Sequence, residues 1–201
     1  ADYIVMNSSA KTKGVYLESS VRESVWLGLD DIRRAAPNAK IMWEIPTGDT
    51  DDPTIADHVF ALINKCDMYS INLPESFTLF GTKSEEDSIQ RIIDIGLPCF
   101  FRVGEKGAYM ITDGKAWFAP AVEPEKSVDA TGCGNCSTGA AMYGLCENLH
   151  PLKTVILANL AAQMNAMQYG PYPHFTEELR QNLFNKAEAE FLQRIKEYHV
   201  S

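Results

Sequence analysis

The chain has 201 residues, 45% of them apolar, with five cysteines and a formal charge of −9. That length and apolar share suffice for a buried core in a single domain over residues 1–201. The acidic balance, with no run of Lys or Arg, argues against nucleic acid and against an anionic membrane surface as partners. No apolar run is long enough to span a bilayer, and an odd cysteine count does not read as a disulfide framework, so a reducing, cytoplasmic setting is expected.

In chain order, Tyr3 to Met6 reads as a short apolar strand. So abrupt a start, with no initiator Met, suggests truncation at the N-terminus. Ser20 and Glu23 have capping-box spacing, and Val21, Val25, Leu29 and Ile32 recur at helical intervals until Pro37. Lys40 to Ile45 reads as a strand. Asp52 and Pro53 open a helix carrying Ile55, Val59, Leu62 and Ile63 on one side, and Asp67 to Ile71 is a third strand. After Asn72-Leu-Pro-Glu75 and a short helix, Ser84 starts a longer helix that Gly96 closes. Cys99 to Val103 is a strongly apolar strand. Gly107 to Thr112 and Lys115 to Ala119 flank Asp113-Gly114, a hairpin signal. Pro151 to Tyr169 is apolar nearly all round and is expected as a buried helix stopped by Gly170 and Pro171. Thr176 to His199, with Leu179, Leu183, Ala187, Phe191 and Ile195 at four-residue steps, is expected as an amphipathic surface helix. The alternation predicts an α/β fold with a doubly wound, mostly parallel sheet flanked by helices.

Between hairpin and buried helix lies Ser127 to Met142, an extended segment passing through Gly132 and Gly134 into a helix of small residues. Glycines admit φ values closed to other residues, and the amides of residues 132 to 136 would face an anion at a helix N-terminus. An ordinary tight turn explains the same pattern. Cys133-x-x-Cys136 has redox spacing, but no second cysteine pair or His cluster accompanies it, so neither redox nor metal chemistry is assigned to it. In doubly wound sheets ligands sit beyond the carboxyl ends of strands. Three polar segments belong at that edge: Asn72 to Glu75, Val103 to Gly107, and the glycine turn.

These three segments, in this order, resemble the ribokinase or PfkB carbohydrate kinases. Asn72-Leu-Pro-Glu75 matches the family's Asn-x-x-Glu, Gly104-Glu-Lys-Gly107 its Gly-x-x-Gly, and Asp129-Ala-Thr-Gly-Cys-Gly-Asn135 its Asp-x-x-Gly-x-Gly-Asp signature. The match covers the later part of the family's fold, without the lid strands and most sugar-contacting segments. The resemblance implies ATP and Mg²⁺ as cofactors, a small sugar-like substrate, and an anion hole at Gly132, Cys133, Gly134 and Asn135. By the same resemblance Asn72 and Glu75 hold the hydration shell of Mg²⁺, Gly104 and Gly107 let the nucleotide approach backbone, and Asn159 lies near adenine or ribose. Asp129 and Thr131 match positions that support K⁺ in some relatives. Each has a plainer alternative: Asn72 and Glu75 as turn former and first-turn charge, Asn159 as a satisfied core amide, Asp129 and Thr131 as caps. A homo-oligomer is compatible with the sequence, which does not encode the oligomeric state.

Asn135 departs from the family, which places an Asp there as general base; an amide cannot accept the hydroxyl proton. Three function classes follow: an ATP-dependent sugar kinase, a nucleotide-binding relative that has lost catalysis, and a dinucleotide-binding oxidoreductase. The third is disfavoured because no acidic residue closes a strand roughly 20 residues after the turn, where Pro151 falls instead.

Overall fold

The computed structural model describes residues 1–170 and 176–198. Pro171 and His199, expected as a helix stop and a helix end, lie outside the described residues. The chain divides into two compact units, residues 1–99 with 111–115, and residues 100–110 with 116–201.

The first unit runs α1 (Asp2–Met6), β1 (Gly14–Leu17), a 3-10 turn (Ser24–Gly28) into α2 (Leu29–Ala35), β2 (Lys40–Glu44) and α3 (Thr47–Thr50). A second 3-10 turn (Pro53–Ile55) leads into α4 (Ala56–Ile63), followed by β3 (Met68–Asn72), α5 (Leu73–Phe80) and α6 (Glu85–Ile95). β1, β2 and β3 pair in parallel, with Tyr16 opposite Met42 and Met42 opposite Met68. Ile41, Met42, Trp43, Met68, Tyr69 and Ile71 are fully buried, so both faces of these strands are covered, as parallel sheets require. Trp26 meets Trp43 edge-on at 5.1 Å, and the two indole N–H groups donate to the Ser20 and Ser19 carbonyls.

Three expectations for this unit change. Tyr3 to Met6 is helical, closed by Val5 N–H to Ala1 C=O at 3.0 Å, with Tyr3 and Met6 exposed. A short apolar run fits strand and helix equally, because periodicity needs more residues to speak. Ser20 caps no helix: its hydroxyl donates to Asp49 at 2.7 Å, and the helix proper starts at Leu29. A partner distant in sequence captured the local donor. β1 and the single-turn α3, both too short to show a period, were not expected.

The second unit opens with β4 (Cys99–Arg102), whose first residue belongs to the preceding unit, and a 3-10 turn (Gly104–Lys106). The hairpin of β5 (Gly107–Thr112) and β6 (Lys115–Pro120) follows, its tip at residues 111–115 counted with the first unit and turning on Asp113 at φ 51° and Gly114 at φ 72°. Two successive positive φ values define the type I′ turn that matches strand twist. Then come α7 (Cys133–Cys146), α8 (Pro151–Ala166) and α9 (Glu177–Tyr198). α7 packs mainly on α8 through small residues such as the fully buried Ala141. α8 buries Leu152, Val155, Ile156, Ala158 and Leu160, which go round its circumference as predicted.

The sheet order is β1-β2-β3-β4-β5-β6, giving the mostly parallel α/β architecture that the alternation implied. The unit boundary falls within β4, β5 and β6 and not in a linker, which is our ground for proposing one folding domain. Among the described residues, no helix is long and apolar enough to cross a membrane.

Candidate functional site

The glycine turn forms because one residue in it must be left-handed. Gly132, at φ 84°, is the N-cap of α7 and reverses the chain into the helix, a conformation costly for residues with a Cβ. Gly134 is different: it sits inside the first turn of α7 and is absent from the positive-φ glycines, so the expectation that both glycines need special φ holds only for Gly132. Cys133 N–H donates to Ala130 C=O at 3.2 Å and Cys136 N–H to Gly132 C=O at 2.9 Å. Residues 134 and 135 lie between them in the first helical turn, where backbone N–H groups point along the axis.

Neighbouring elements hold the turn. Asp129 accepts from Thr131 N–H at 2.9 Å, an Asx turn, and the Thr131 bonds keep its carboxyl below the usual range. The Thr131 carbonyl accepts from the Asn165 side-chain amide at 2.8 Å, and that amide also reaches the Cys133 sulfur at 3.4 Å. The Val128 and Asp129 amides both donate to Ala166 C=O, so the end of α8 fixes the entry to the turn. Beside it lies a cavity of about 410 Å³, lined by Gly132, Asn135 and Cys136 and by Met164, Leu179 and Leu183 from α8 and α9. That volume suits a small organic ligand. Cys133 and Cys136 are half-buried free thiols; burial first, then Cys133, raises the pKa of Cys136.

Sequence reasoning missed two residues here. Asn165, buried on α8, is the clamp; a polar residue in an otherwise apolar helix was the available signal. Arg102 ends β4, and its Nη1 lies 2.6 Å from where a Cβ on Gly134 would stand. A charged residue closing the Cys99-Phe-Phe run was the signal for it.

The remaining residues of this unit are positioned as follows. Gly104 is left-handed at φ 65°, with open space around a would-be Cβ. Gly107, at φ 130°, has none: a Cβ would stand 2.2 Å from the Ala119 carbonyl oxygen, so this glycine serves the hairpin's close packing. The Asn159 amide donates to Ala119 and Pro120 carbonyls, both at 2.9 Å, and this uses both its hydrogens. That is the satisfied core amide, with only its Oδ1 left for a ligand.

In the first unit, Asn72 and Glu75 form a complete capping box on α5. Glu75 N–H donates to Asn72 Oδ1 at 3.0 Å, and Asn72 N–H donates to Glu75 Oε2 at 2.9 Å. Thr47, opening α3, donates its hydroxyl to Glu75 Oε1 at 2.8 Å. The Glu75 carboxylate is thus buried and held at both oxygens, each of which keeps a further acceptor site. This donor set fits a hydrated cation, whose bound waters donate to a fixed carboxylate, better than direct coordination. At Asp129 and Thr131 the fit to K⁺ is weaker, because one carboxylate oxygen and the Thr131 carbonyl already accept from nitrogen.

Among solved structures, the chain resembles a probable sugar kinase protein from Rhizobium etli, with TM-score 0.74 and 20% identity over 87% of this chain and 55% of that one. It resembles adenosine kinase from Sinorhizobium meliloti with TM-score 0.73 and 16% identity over 90% of this chain and 57% of that one. A fructokinase double mutant from Vibrio cholerae, crystallised with fructose, ADP and potassium ion, gives TM-score 0.63 and 20% identity over 83% of this chain and 58% of that one. The chain therefore spans little more than half the length of these proteins. A search of curated proteins finds no match. The sequence itself matches the family described as pfkB family carbohydrate kinase over residues 1–178, nearly its whole length, and the chain belongs to that family.

Proposed function

We propose that the protein carrying this chain transfers the terminal phosphoryl group of ATP to a hydroxyl of a sugar or sugar-like alcohol. The phosphates would lie over Gly132, Cys133, Gly134 and Asn135. The observation that carries this reading is the first turn of α7, set by left-handed Gly132, pinned by Asn165 and opening beside a cavity. Backbone amides at a helix start and a helix dipole favour an anion there. The cavity suits a nucleoside by its volume, and Gly104 has open space beside its own backbone. Asn72 and Glu75 would orient waters of Mg²⁺, an ion that neutralises phosphate charge when bound. Asp129 and Thr131 are the proposed K⁺ pair, supported by the potassium-bound fructokinase relative.

Phosphoryl transfer leans on positioning and charge stabilisation, so Asn135 removes general-base help without removing the site. That same residue favours a second reading, a nucleotide-binding relative without turnover. The oxidoreductase reading loses further ground because Pro151 opens α8 where an acidic strand end would be needed. Titration with ATP and with NAD decides the ligand: ATP binding with no NAD binding supports the kinase family of readings, and NAD preference overturns them. Turnover with any sugar then dismisses the non-catalytic reading.

A further inference from the structure

Cys133 and Cys136 are the first and fourth residues of α7, and both turn toward α8. The Cys133 thiol donates to the Ala162 carbonyl at 3.4 Å and the Cys136 thiol to the Ala161 carbonyl at 3.5 Å, so the two sulfurs rest on consecutive carbonyls of one helix. Both thiols are free and only half-buried, and Cys136 lines the cavity beside the turn, which gives a small reagent access. Each feels the other: after burial, Cys133 is what raises the pKa of Cys136. The Asn165 amide donates to the Cys133 sulfur at 3.4 Å, a contact in place for the thiolate through which thiol exchange proceeds. Cys146, the third cysteine of this unit, ends the same helix about 15 Å along the axis from Cys136, and Cys66 and Cys99 are buried.

We propose that Cys133 and Cys136 form a reversible disulfide that opens the first turn of α7 and thereby weakens nucleotide binding; the effect on binding rests on the phosphate-site reading given above. Residues three apart on a helix have Cα atoms about 5 Å apart, within disulfide range, but Cβ atoms at about 5–6 Å where the bond needs about 3.8 Å. Closure therefore draws the turn out of helical geometry and breaks the 2.9 Å bond from the Cys136 amide to the Gly132 carbonyl. Gly134, inside the closing ring, eases that motion. The amides of residues 134 and 135 move with the turn. The oxidant is a small organic disulfide: one cysteine thiolate attacks one of its sulfurs and expels the other half, and the second cysteine thiolate then displaces the half still attached. Two electrons pass to the small disulfide, whose halves leave as thiols carrying the two cysteine protons. A bond closed against a helical turn is strained, so a thiol reopens it readily.

The test incubates the chain with glutathione disulfide, maps its peptides without reduction, follows amide hydrogen exchange, and titrates Mg-ATP by calorimetry before and after dithiothreitol. The expected map shows a Cys133–Cys136 bond that dithiothreitol removes. The Cys136 amide should exchange faster in the oxidised chain, and Mg-ATP should bind at least about tenfold more weakly to the oxidised sample than to the same sample reduced. In Cys136→Ala, Cys133 should instead keep a glutathione adduct, because no second thiol displaces it; the parent's own map carries the test should that variant fail to fold. A parent map without the Cys133–Cys136 bond overturns the proposal, and so does a bond that leaves Mg-ATP affinity unchanged. A reduced chain that binds no Mg-ATP overturns the phosphate-site reading and the effect on binding with it, while a mapped bond with faster exchange at Cys136 still upholds the disulfide site.

Discussion

An alcohol attacking a γ-phosphate must lose its proton, and the Asn135 amide has no site basic enough to take it. In the complete protein Asn135→Asp should therefore raise kcat, by up to roughly 10² if the new carboxylate is aligned, with KM for the alcohol little changed. Steady-state kinetics with both substrates varied checks this. A lower kcat at saturating ATP would instead mean that the amide is matched to its surroundings. At the other extreme of reactivity stands Cys66, buried, with its thiol on the Leu62 carbonyl at 3.3 Å. Burial pushes its pKa up to about 12, with the Arg33 charge opposing and Asp67 adding. Because the folded value exceeds the unfolded one, this contribution to stability is whole below pH ~9 and is lost as pH climbs toward about 12. Iodoacetamide at pH ~9 should leave Cys66 of the native chain unmodified while labelling it in urea; peptide mapping that finds native labelling would contradict the burial.

Among the elements, α5 poses the sharpest ambiguity, since its capping box and its proposed Mg²⁺ duty use the same side chains. Asn72→Ser keeps a good N-cap, so stability should change by no more than about 0.5 kcal/mol, whereas Asn72→Ala should cost about 1 kcal/mol. If Asn72 also serves the nucleotide, both variants lose Mg-ATP affinity alike; denaturant melts beside calorimetry separate the two roles. At the hairpin, Gly107→Ala should cost about 3 kcal/mol or more, because a Cβ meets backbone at Ala119 and Pro120 that cannot swing aside. A melting temperature within a few degrees of the parent would refute that. The sequence announced α6 through Ser84 and Gly96, and the hairpin through Asp113-Gly114, because those signals are local and complete in themselves. It misplaced α2 and missed β1 because Ser20 answers to Asp49 and β1 to β2, partners that only the folded chain supplies. At the site the signature showed where the turn is, yet Asn165 and Arg102 reach it from elements 30 or so residues away, so their part was invisible to spacing.

For the whole molecule, strand and helix alternation was enough to name the α/β class, and the family match extends over residues 1–178. The claim on which the functional reading stands is narrower: an anion binds at the start of α7. Calorimetric titration of Mg-ATP into the chain and into Gly134→Val tests it most directly. Gly134 is helical without a positive φ, so valine is tolerated by the backbone and far-UV circular dichroism should be unchanged. Its branched side chain would displace the Arg102 guanidinium and fill the space before the first-turn amides. The account predicts that the parent binds Mg-ATP and that the folded variant binds it at least about a hundredfold more weakly, a difference of about 2.7 kcal/mol; equal affinity in the two would contradict it.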